Sequence, residues 1–279
     1  AARGPGRGAA GRCGRDGAGM SLYYSDDRVT LYHGDSELIM SDWLNEYAQP
    51  DFGQIVVTSP PYNMGLVPGG NGRGMYRPGA SSKGGRFRDG YEDSHDDAMP
   101  QDEYDAWQRR TLALLWELIP EDGAIFYNHR QRVEHGRARL PLGMDFPIPL
   151  RQVITWDRKT GIGPNLRHFC SVAEWVFLFA REHFSLVSHS ASGQGDIWRL
   201  GMAQEDFGHP APFPVSLPLR AITASGARSV FDPYAGTGTT LVAAQIAGVQ
   251  GVGIEKSERY CEVIAKRLAQ GVLDFGEGA

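Results

Sequence analysis

From residue 28 onward, short apolar runs alternate with segments in which apolar residues recur at helical spacing. Residues 54–58 and 123–128 are runs rich in β-branched and aromatic residues, which are typical of strands. Residues 101–119 carry Tyr104, Leu112 and Leu115 at helical spacing, which predicts an amphipathic helix. The predicted strands are 28–33, 54–58, 123–128, 152–156, 175–180, 228–231 and 249–254, and the predicted helices are 36–47, 101–119, 215–224, 239–247 and 257–268.

This alternation predicts an α/β fold, in which a mostly parallel seven-stranded sheet is covered by helices on both faces. We assign a single domain to residues 20–279. The segment 1–19 is almost entirely Gly, Ala and Arg, and its composition predicts a disordered extension, with an arginine-rich arm for nucleic acid as the alternative. The glycine-rich, basic stretch within 64–100 breaks the alternation and predicts a mobile loop.

Composition narrows the class of protein. With 279 residues, 41% of them hydrophobic, the chain can bury one sizeable core. The net charge of -5 gives no global attraction for nucleic acid, so such a partner must be sought in local patches. Three widely spaced cysteines indicate a reducing, cytoplasmic location without a disulfide framework, and the histidines lack metal-ligand spacing. No apolar stretch is long enough to predict a membrane span.

The sequence T-S-P-P-Y-N at 58–63 directly follows a predicted buried strand. Two prolines remove two N–H donors and force an extended corner, so the local carbonyls are free to accept hydrogen bonds from a ligand. Ser59 adds a hydroxyl and Tyr62 adds a flat aromatic face, which together suit a planar ligand that bears an amine. Each residue also has an ordinary structural role, because serine is common in turns and a tyrosine at a strand end is often part of the core.

A second candidate site is F-D-P-Y-A-G-T-G-T-T at 231–240, between a predicted strand and a predicted helix. A glycine turn there lets the backbone approach a ligand at the carboxyl ends of the strands. The stretch has no lysine, which argues against a phosphate-binding P-loop, and Leu241 stands where a dinucleotide fingerprint needs its third glycine. Asp232 suits an ammonium group and Glu255 suits ribose hydroxyls, so the pair fits S-adenosylmethionine. Glu255 alone is equally typical of a helix start.

Four short motifs, in this order along the chain, resemble the beta-class DNA methyltransferases that act on exocyclic amino groups. They are T-S-P-P-Y-N at 58–63, H-P-A-P-F-P at 209–214, F-D-P-Y-A-G-T-G-T-T at 231–240 and G-V-G-I-E at 251–255. The resemblance implies a Rossmann-like methyltransferase fold, S-adenosyl-L-methionine as cofactor, and a circular permutation that places the catalytic motif before the cofactor motif. Under that permutation, Y-H-G-D at 32–35 carries Asp35 to the adenine ring of the cofactor.

The resemblance also implies the roles of the motif residues. The base amine is expected at the Ser-Pro-Pro-Tyr corner, and the cofactor is expected beside it. The implied catalytic residues are Ser59, Pro60, Pro61 and Tyr62, and the implied cofactor-binding residues are Asp35, Thr58, Phe213, Pro214, Asp232, Pro233, Gly236, Gly238, Thr239, Thr240 and Glu255.

Serine at position 59 and the pair Phe213-Pro214 resemble the cytosine-N4 subset of the family, whereas D-P-P-Y resembles the adenine-N6 enzymes. Hydrogen bonds from the base amine to the Ser59 hydroxyl and the Pro60 carbonyl would localise the nitrogen lone pair for direct methyl transfer. Methylation of a ring carbon would need a cysteine nucleophile, typically after a proline, and none of the three cysteines follows one. We expect N4 methylation of a cytosine flipped out of the duplex, with adenine-N6 methylation as the alternative.

Double-stranded DNA is the implied partner, which adds association with the nucleoid to the cytoplasmic location. We expect contacts from the loop at 64–100 and from a candidate target-recognition insertion at 157–205. The candidate DNA-binding residues are Arg73, Arg77, Lys83, Arg86, Arg88, Arg158, Lys159 and Arg167. The sequence leaves open whether a second copy of the chain or a cognate restriction endonuclease is a partner. A catalytically silent DNA-binding protein on the same fold, and RNA as substrate, are further alternatives.

Overall fold

The computed structural model describes residues 20–45, 53–64, 97–134, 136–161, 166–202 and 213–270. These residues form eleven β-strands and six α-helices. The strands are β1 (Ser21–Ser25), β2 (Val29–His33), β3 (Ile55–Thr58), β4 (Ala124–His129), β5 (Arg132–Glu134), β6 (Arg137–Arg139), β7 (Leu150–Asp157), β8 (Ala173–Ala180), β9 (Ile197–Arg199), β10 (Ser229–Asp232) and β11 (Gln250–Glu255). The helices are α1 (Ser36–Asn45), α2 (Gln101–Leu118), α3 (His189–Ser192), α4 (Ser216–Ser225), α5 (Thr239–Ala247) and α6 (Glu258–Ala269).

Nine of these strands form one sheet in the order β1-β2-β11-β10-β3-β4-β8-β7-β9. From β2 to β4 all neighbours are parallel, whereas β8 is antiparallel to both β4 and β7. The carboxyl ends of β2, β11, β10, β3 and β4 therefore lie along one edge, together with the beginning of β8. That edge is where open α/β sheets bind ligands.

Helices cover both faces of the sheet, and β3 shows why. Its side chains alternate with the two-residue period of a strand. Ile55 and Val57 pack into the core beneath α4 and α5, while Val56 packs into the opposite core beneath α1 and α2. All four residues of β3 are buried, which is expected of a central parallel strand covered on both sides.

The α/β prediction is confirmed. The predicted count of seven strands is wrong, because the sheet has nine strands and the two edge strands, β1 and β9, were not predicted. None of the β1 residues is fully buried, and β9 has three residues of which only Trp198 is buried. Both strands are short, with S-L-Y-Y-S in β1 and I-W-R in β9, and neither was predicted. The hairpin of β5 and β6 was not predicted either, because its sequence is dominated by charged residues.

Several predictions about chain organisation remain open. The segment 1–19 and residues 65–96 of the loop 64–100 lie outside the described residues. The early strand β2 lies parallel to the late strand β11, which is the neighbourhood that the permutation predicts, but the permutation itself stays a prediction. Among the residues that the structure describes, no helix is long and apolar enough to cross a membrane.

Candidate active site

The carboxyl ends of the central strands open into a cavity of about 540 Å³. Its walls combine the proline corner after β3, the glycine turn after β10, the end of β11 and the junction of β2 with α1. The predicted site residues that line it are Asp35, Ser59, Pro60, Pro61, Tyr62, Phe213, Asp232, Pro233, Gly236, Thr239 and Glu255. Helix α2 completes the wall with Glu103, Ala106, Trp107 and Arg110. Two motifs far apart in sequence therefore face one space.

A buried carboxylate joins the proline corner to the glycine turn. Asp232 Oδ1 accepts hydrogen bonds from Thr58 Oγ1 at 2.8 Å and from the Tyr234 N–H at 3.1 Å, and Oδ2 accepts from Thr240 Oγ1 at 2.7 Å. Burial raises the pKa of Asp232 to about 6, although these three donors act in the opposite direction. Thr58 is the last residue of β3 and Asp232 is the last residue of the neighbouring strand β10. Their hydrogen bond therefore fixes the distance between the two motifs.

The glycine turn places backbone next to a second carboxylate. Gly236 and Gly238 have φ angles of 55° and 80°, a region that glycine adopts without strain. Glu255 Oε2 accepts the N–H of Gly236 at 2.8 Å, and Oε1 accepts the N–H of Ser257 at 2.7 Å. Burial raises the pKa of Glu255 to about 7, against the effect of these N–H groups. Each anchored oxygen keeps a lone pair that can accept from a ligand hydroxyl.

A third acidic group lies on the adjacent strand end. Asp35 Oδ1 accepts the N–H groups of Glu37 at 3.1 Å and Leu38 at 3.3 Å, which caps helix α1, and Oδ2 is 3.1 Å from Lys256 Nζ. Since β2 and β11 are paired up to His33 and Glu255, the Asp35 and Glu255 carboxylates belong to neighbouring parts of the cavity wall.

Four predicted cofactor-binding residues do not line the cavity. Thr58 and Thr240 are fully buried and hold Asp232 in place. Gly238 lies against α6, where an added Cβ would be 2.9 Å from Ile264 Cγ2. The Pro214 carbonyl accepts the N–H of Leu217 at the start of α4. These residues position the wall of the site without being part of it.

Tyr62 is held by polar groups behind the proline corner. Its Oη lies 2.7 Å from Ser59 Oγ, 2.7 Å from Asn128 Oδ1 and 3.2 Å from Glu174 Oε2. Asn128 Nδ2 donates to the Trp175 carbonyl at 3.1 Å, which leaves Asn128 Oδ1 as the atom facing Tyr62. An amide oxygen and a carboxylate only accept, so they take the Tyr62 proton and Ser59 donates its own proton to Tyr62 Oη. The Ser59 oxygen thereby keeps its lone pairs for a ligand donor.

Glu174 belongs to a buried ion pair. Its side chain is 4% exposed, and Oε1 lies 2.9 Å from Arg158 Nη1. Arg158 Nη2 also donates to the Ser171 carbonyl at 2.6 Å. The pair therefore connects Tyr62 to the loop between β7 and β8. Arg158 was predicted to bind DNA, but a guanidinium that is buried and paired in this way is not offered to a phosphate.

Hydrogen bonds also fix the carbonyls of the corner. Tyr104 Oη donates to the Pro61 carbonyl at 2.8 Å and is 2.7 Å from His129 Nε2. His129 Nδ1 lies 2.8 Å from the backbone nitrogen of Arg130, and burial lowers the pKa of His129 to about 3, so the ring is neutral. The Pro60 carbonyl has no hydrogen-bond partner among the described residues, which leaves it for a ligand.

A buried arginine holds the residues that follow the corner. Arg132, which is 5% exposed, donates to the carbonyls of Tyr62 and Asn63. Asn63 has a φ of 54°, a left-handed conformation that asparagine tolerates, and its Nδ2 donates to the Met99 carbonyl at 2.9 Å. The corner is thus a rigid element held from several sides.

Sequence reasoning missed the supporting residues Asn128, Glu174, Tyr104, His129 and Arg132. Asn128 ends the predicted strand that follows the one leading into the proline corner, and His129 comes directly after it. Because the carboxyl ends of neighbouring parallel strands meet at one edge of the sheet, this placement could have predicted both residues as part of the site. Glu174 is a single acid in an otherwise apolar strand, which is a detectable anomaly. Tyr104 looked like an ordinary core residue because its helical spacing gave no sign of its hydroxyl contacts.

The predicted DNA contacts divide into two groups. Lys159 and Arg167 are exposed in the loop between β7 and β8. The candidates of the 64–100 loop lie outside the described residues, namely Arg73, Arg77, Lys83, Arg86 and Arg88. Within the described ranges, no group of three or more His, Cys, Asp or Glu side chains is arranged to hold a metal ion.

Comparison with known proteins gives a family match over most of the chain. A family model described as DNA methylase, of the N6/N4 type, matches residues 54–267. The chain is 24% identical over 269 residues to the Type II methyltransferase M2.LlaDCHI of Lactococcus lactis subsp. cremoris, covering 89% of this chain and 92% of that protein. It is similar in fold to PvuII DNA methyltransferase (cytosine-N4-specific), with a TM-score of 0.67, 14% identity and coverage of 94% and 92%. It is also similar to M1.HpyAVI in complex with SAM, with a TM-score of 0.56, 15% identity and coverage of 86% and 99%.

Proposed function

The chain belongs to the family of DNA methylases that modify exocyclic amino groups with S-adenosyl-L-methionine, and from this membership we propose that it methylates the N4 amine of a cytosine flipped out of double-stranded DNA. The observation that carries this proposal is Ser59. Its hydroxyl lines the cavity, donates to Tyr62, and so faces a ligand as an acceptor.

The residues around the cavity fit the cofactor. A volume of about 540 Å³ lies within the range of sites for small molecules. Glu255 and Asp35 offer acceptors on neighbouring strand ends, where the ribose hydroxyls and the adenine ring are expected. The Gly236 backbone leaves room for close approach, and Phe213 adds an apolar wall for the methionine part. When bound there, S-adenosyl-L-methionine supplies an electrophilic methyl group.

The proline corner can prepare the amine for attack. The amine of cytosine is a poor nucleophile because its lone pair is delocalised into the ring. In this proposal one amine hydrogen is donated to Ser59 Oγ and the other to the Pro60 carbonyl. The Pro60 carbonyl accepts no hydrogen bond from the described residues. Two acceptors fixed on a rigid corner favour a pyramidal nitrogen with a localised lone pair, and they need no reorganisation during transfer. No covalent bond between base and protein is required.

The hydrogen-bond network around position 59 favours a serine there, and serine at this position resembles the cytosine-N4 subset of the family. Tyr62 has one proton, and Asn128 Oδ1 and Glu174 Oε2 already accept it. An aspartate at position 59 would be a third acceptor and would bring a second negative charge close to Glu174. The surroundings of Ser59 therefore suit a hydroxyl and disfavour the carboxylate that resembles the adenine-N6 enzymes.

Tyr62 is also placed to hold the base. Tyr62 lines the cavity with only 4% of its surface exposed, and its hydroxyl is anchored behind the wall, so the ring orientation is fixed before a base arrives. Stacking of a base on an aromatic side chain contributes about 1–3 kcal/mol, which offsets part of the unstacking that extrusion requires.

Nucleoside analysis tests the proposal. The purified chain is incubated with genomic DNA and a cofactor carrying a deuterated methyl group, and the digested DNA is analysed by mass spectrometry. We expect labelled N4-methylcytosine, and none with Ser59→Ala at the same protein concentration. Labelled N6-methyladenine would establish the alternative base, and DNA binding without any label would point to a silent DNA-binding protein.

A further inference from the structure

A second cavity, of about 430 Å³, lies next to the active site at the same edge of the sheet. Its walls are the start of α2, the end of β4, strand β5 and the segment 138–144. Two of its lining residues also hold the proline corner, because Tyr104 donates to the Pro61 carbonyl and Arg132 donates to the Tyr62 carbonyl. The second cavity therefore lies on the other side of side chains that contact the corner.

The lining of the second cavity carries an excess of positive charge. Arg130, Arg132 and Arg139 line it, and Asp105 is the single carboxylate among the described residues that do so. The Asp105 carboxylate interacts electrostatically with both Arg132 and Arg139, and it therefore balances part of their charge. Since the whole chain has a net charge of -5, this excess is a local feature of the cavity. The sign of the lining indicates an anionic ligand.

The guanidinium of Arg130 makes no hydrogen bond to any described residue. Its side chain is 16% exposed, its Nε is buried without a hydrogen-bond partner, and its Nη1 is 3.9 Å from Glu174 Oε1. The same Glu174 oxygen is 2.9 Å from Arg158 Nη1, so one carboxylate faces two guanidinium groups. A largely buried cation without a hydrogen bond is unfavourable unless a partner is bound. An anion in the second cavity would supply Arg130 with an acceptor.

The position of the second cavity favours a DNA phosphate as this anion. Under the proposed function the target base enters at the proline corner, so the sugar-phosphate backbone on either side of that base passes close to the same edge of the sheet. The cavity is also lined by Leu140 and Leu142, which are 45% and 47% exposed. A deoxyribose next to the phosphate would cover these apolar side chains, whereas an inorganic phosphate would leave them in solvent.

We propose that the second cavity binds a backbone phosphate of the DNA strand that carries the target base, with Arg130 as its principal ligand. The inference rests on the proposed function, because it takes the extruded base as the point from which the backbone continues. Contacts with phosphates fix the register of a protein on DNA without reading its sequence. A phosphate held behind the proline corner would therefore place the extruded nucleotide in register with Ser59.

Neutral phosphates introduced one at a time test this site. A synthetic duplex that contains the sequence bound by the wild type carries a single uncharged methylphosphonate at one position after another. The affinity of each duplex is measured for the wild type and for Arg130→Gln. The affinity of the unmodified duplex is also measured over a range of salt concentrations, because the salt dependence reports the number of phosphates that the protein neutralises.

Two further variants complete the test. Arg228→Gln is the matched control, because Arg228 is exposed and directly precedes β10, at the opposite edge of the sheet. Ala138→Glu adds a carboxylate to an exposed position in the wall of the second cavity and leaves Arg130 in place. Thermal unfolding verifies that each protein is folded.

We expect Arg130→Gln to bind the unmodified duplex roughly tenfold more weakly than the wild type, which corresponds to the loss of one hydrogen bond to a charged group. The slope of log affinity against log salt concentration should become shallower by about 0.9, the value for one phosphate contact. One methylphosphonate position should weaken binding by the wild type to a similar extent and have little effect on Arg130→Gln. Ala138→Glu should also weaken binding, and Arg228→Gln should not.

Wild-type affinity and salt dependence in Arg130→Gln would overturn the phosphate site, and so would the same methylphosphonate profile in both proteins. If Arg130→Gln does not fold, unchanged affinity in Ala138→Glu is the result that overturns it. Calorimetry with inorganic phosphate distinguishes the source of the anion, because phosphate binding that Arg130→Gln loses at unchanged DNA affinity would assign the cavity to a free phosphate. A wild type that binds DNA without methylating it would overturn the proposed function, while the affinities still decide the phosphate site. A wild type that binds no DNA would overturn both.

Discussion

Replacing Tyr62 by phenylalanine isolates the orientation of Ser59 from the stacking of the base. The aromatic ring stays, so contact with an extruded base is preserved. The hydroxyl that accepts the Ser59 proton at 2.7 Å is lost. Ser59 is then free to rotate its hydrogen toward the cavity, where it would oppose the amine hydrogens of the base.

The size of the effect follows from the hydrogen bonds involved. One hydrogen bond contributes about 0.5–1.5 kcal/mol net, so the loss of orientation should lower kcat roughly twofold to tenfold. The same change leaves Asn128 Oδ1 and Glu174 Oε2 buried without their shared donor, which should lower the free energy of unfolding by about 1–3 kcal/mol. KM for DNA should change little, because the ring is retained.

Tyr127→Phe is a matched control. Tyr127 is fully buried, and its hydroxyl donates to Gln108 Oε1, yet it does not line the cavity. Both variants thus lose one buried phenol hydroxyl with an acceptor behind it. The assays are steady-state methylation of DNA, which gives kcat and KM, and unfolding in urea, each on both variants.

We expect both tyrosine variants to lose stability and only Tyr62→Phe to lose kcat. An unchanged kcat in Tyr62→Phe would refute the assignment of Ser59 as an acceptor held by Tyr62. An equal fall in both variants would show that the loss comes from general destabilisation.

Three further predictions concern the buried charges. Burial raises the pKa of Glu255 from 4.5 to about 7, so the folded chain holds this proton more tightly than the unfolded chain. The free energy of unfolding should therefore fall as the pH rises from 4.5 to about 7, and cofactor affinity should rise over the same range because the carboxylate ionises. Calorimetry on Glu255→Gln should show both pH trends flattened. Asp232→Ala should destabilise the fold by about 2–5 kcal/mol in urea because buried donors lose their acceptor, whereas Asp232→Asn keeps one acceptor oxygen and should be milder. Arg158→Met should cost about 3–5 kcal/mol by leaving Glu174 unpaired, and adding Glu174→Gln should restore part of that stability; an additive loss would contradict the ion pair.

The sequence predicted the parts of the fold that have a strong pattern. The central strands are apolar runs and the long helices have clear apolar faces, because both bury side chains on defined faces of the sheet. The edge strands β1 and β9 leave most side chains in solvent, and their short apolar stretches, L-Y-Y and I-W, are too brief to distinguish a strand from a loop. Hydrogen bonding along an edge is not visible in the order of residue types.

For the site, the order of the motifs predicted the residues that line the cavity but not the side chains that hold those residues in place. Ser59, Asp232 and Glu255 were found because strand-end motifs meet at one sheet edge. The burial of Arg158 and its pairing with Glu174 depend on the antiparallel placement of β8, which the predicted alternation did not contain. Thr58 and Thr240 were recognised as part of the site, but their role as supports of Asp232 required the distances.

Hydrogen exchange with and without S-adenosylhomocysteine tests most directly that the proline corner and the glycine turn form one cleft. Thr58 and Asp232 are 174 positions apart in sequence, and their side chains are 2.8 Å apart in the fold. We expect one added ligand to slow exchange in both the peptide covering 58–64 and the peptide covering 231–240, and to leave a peptide from β7 unchanged. Protection confined to one of the two peptides, or absent from both, would contradict it.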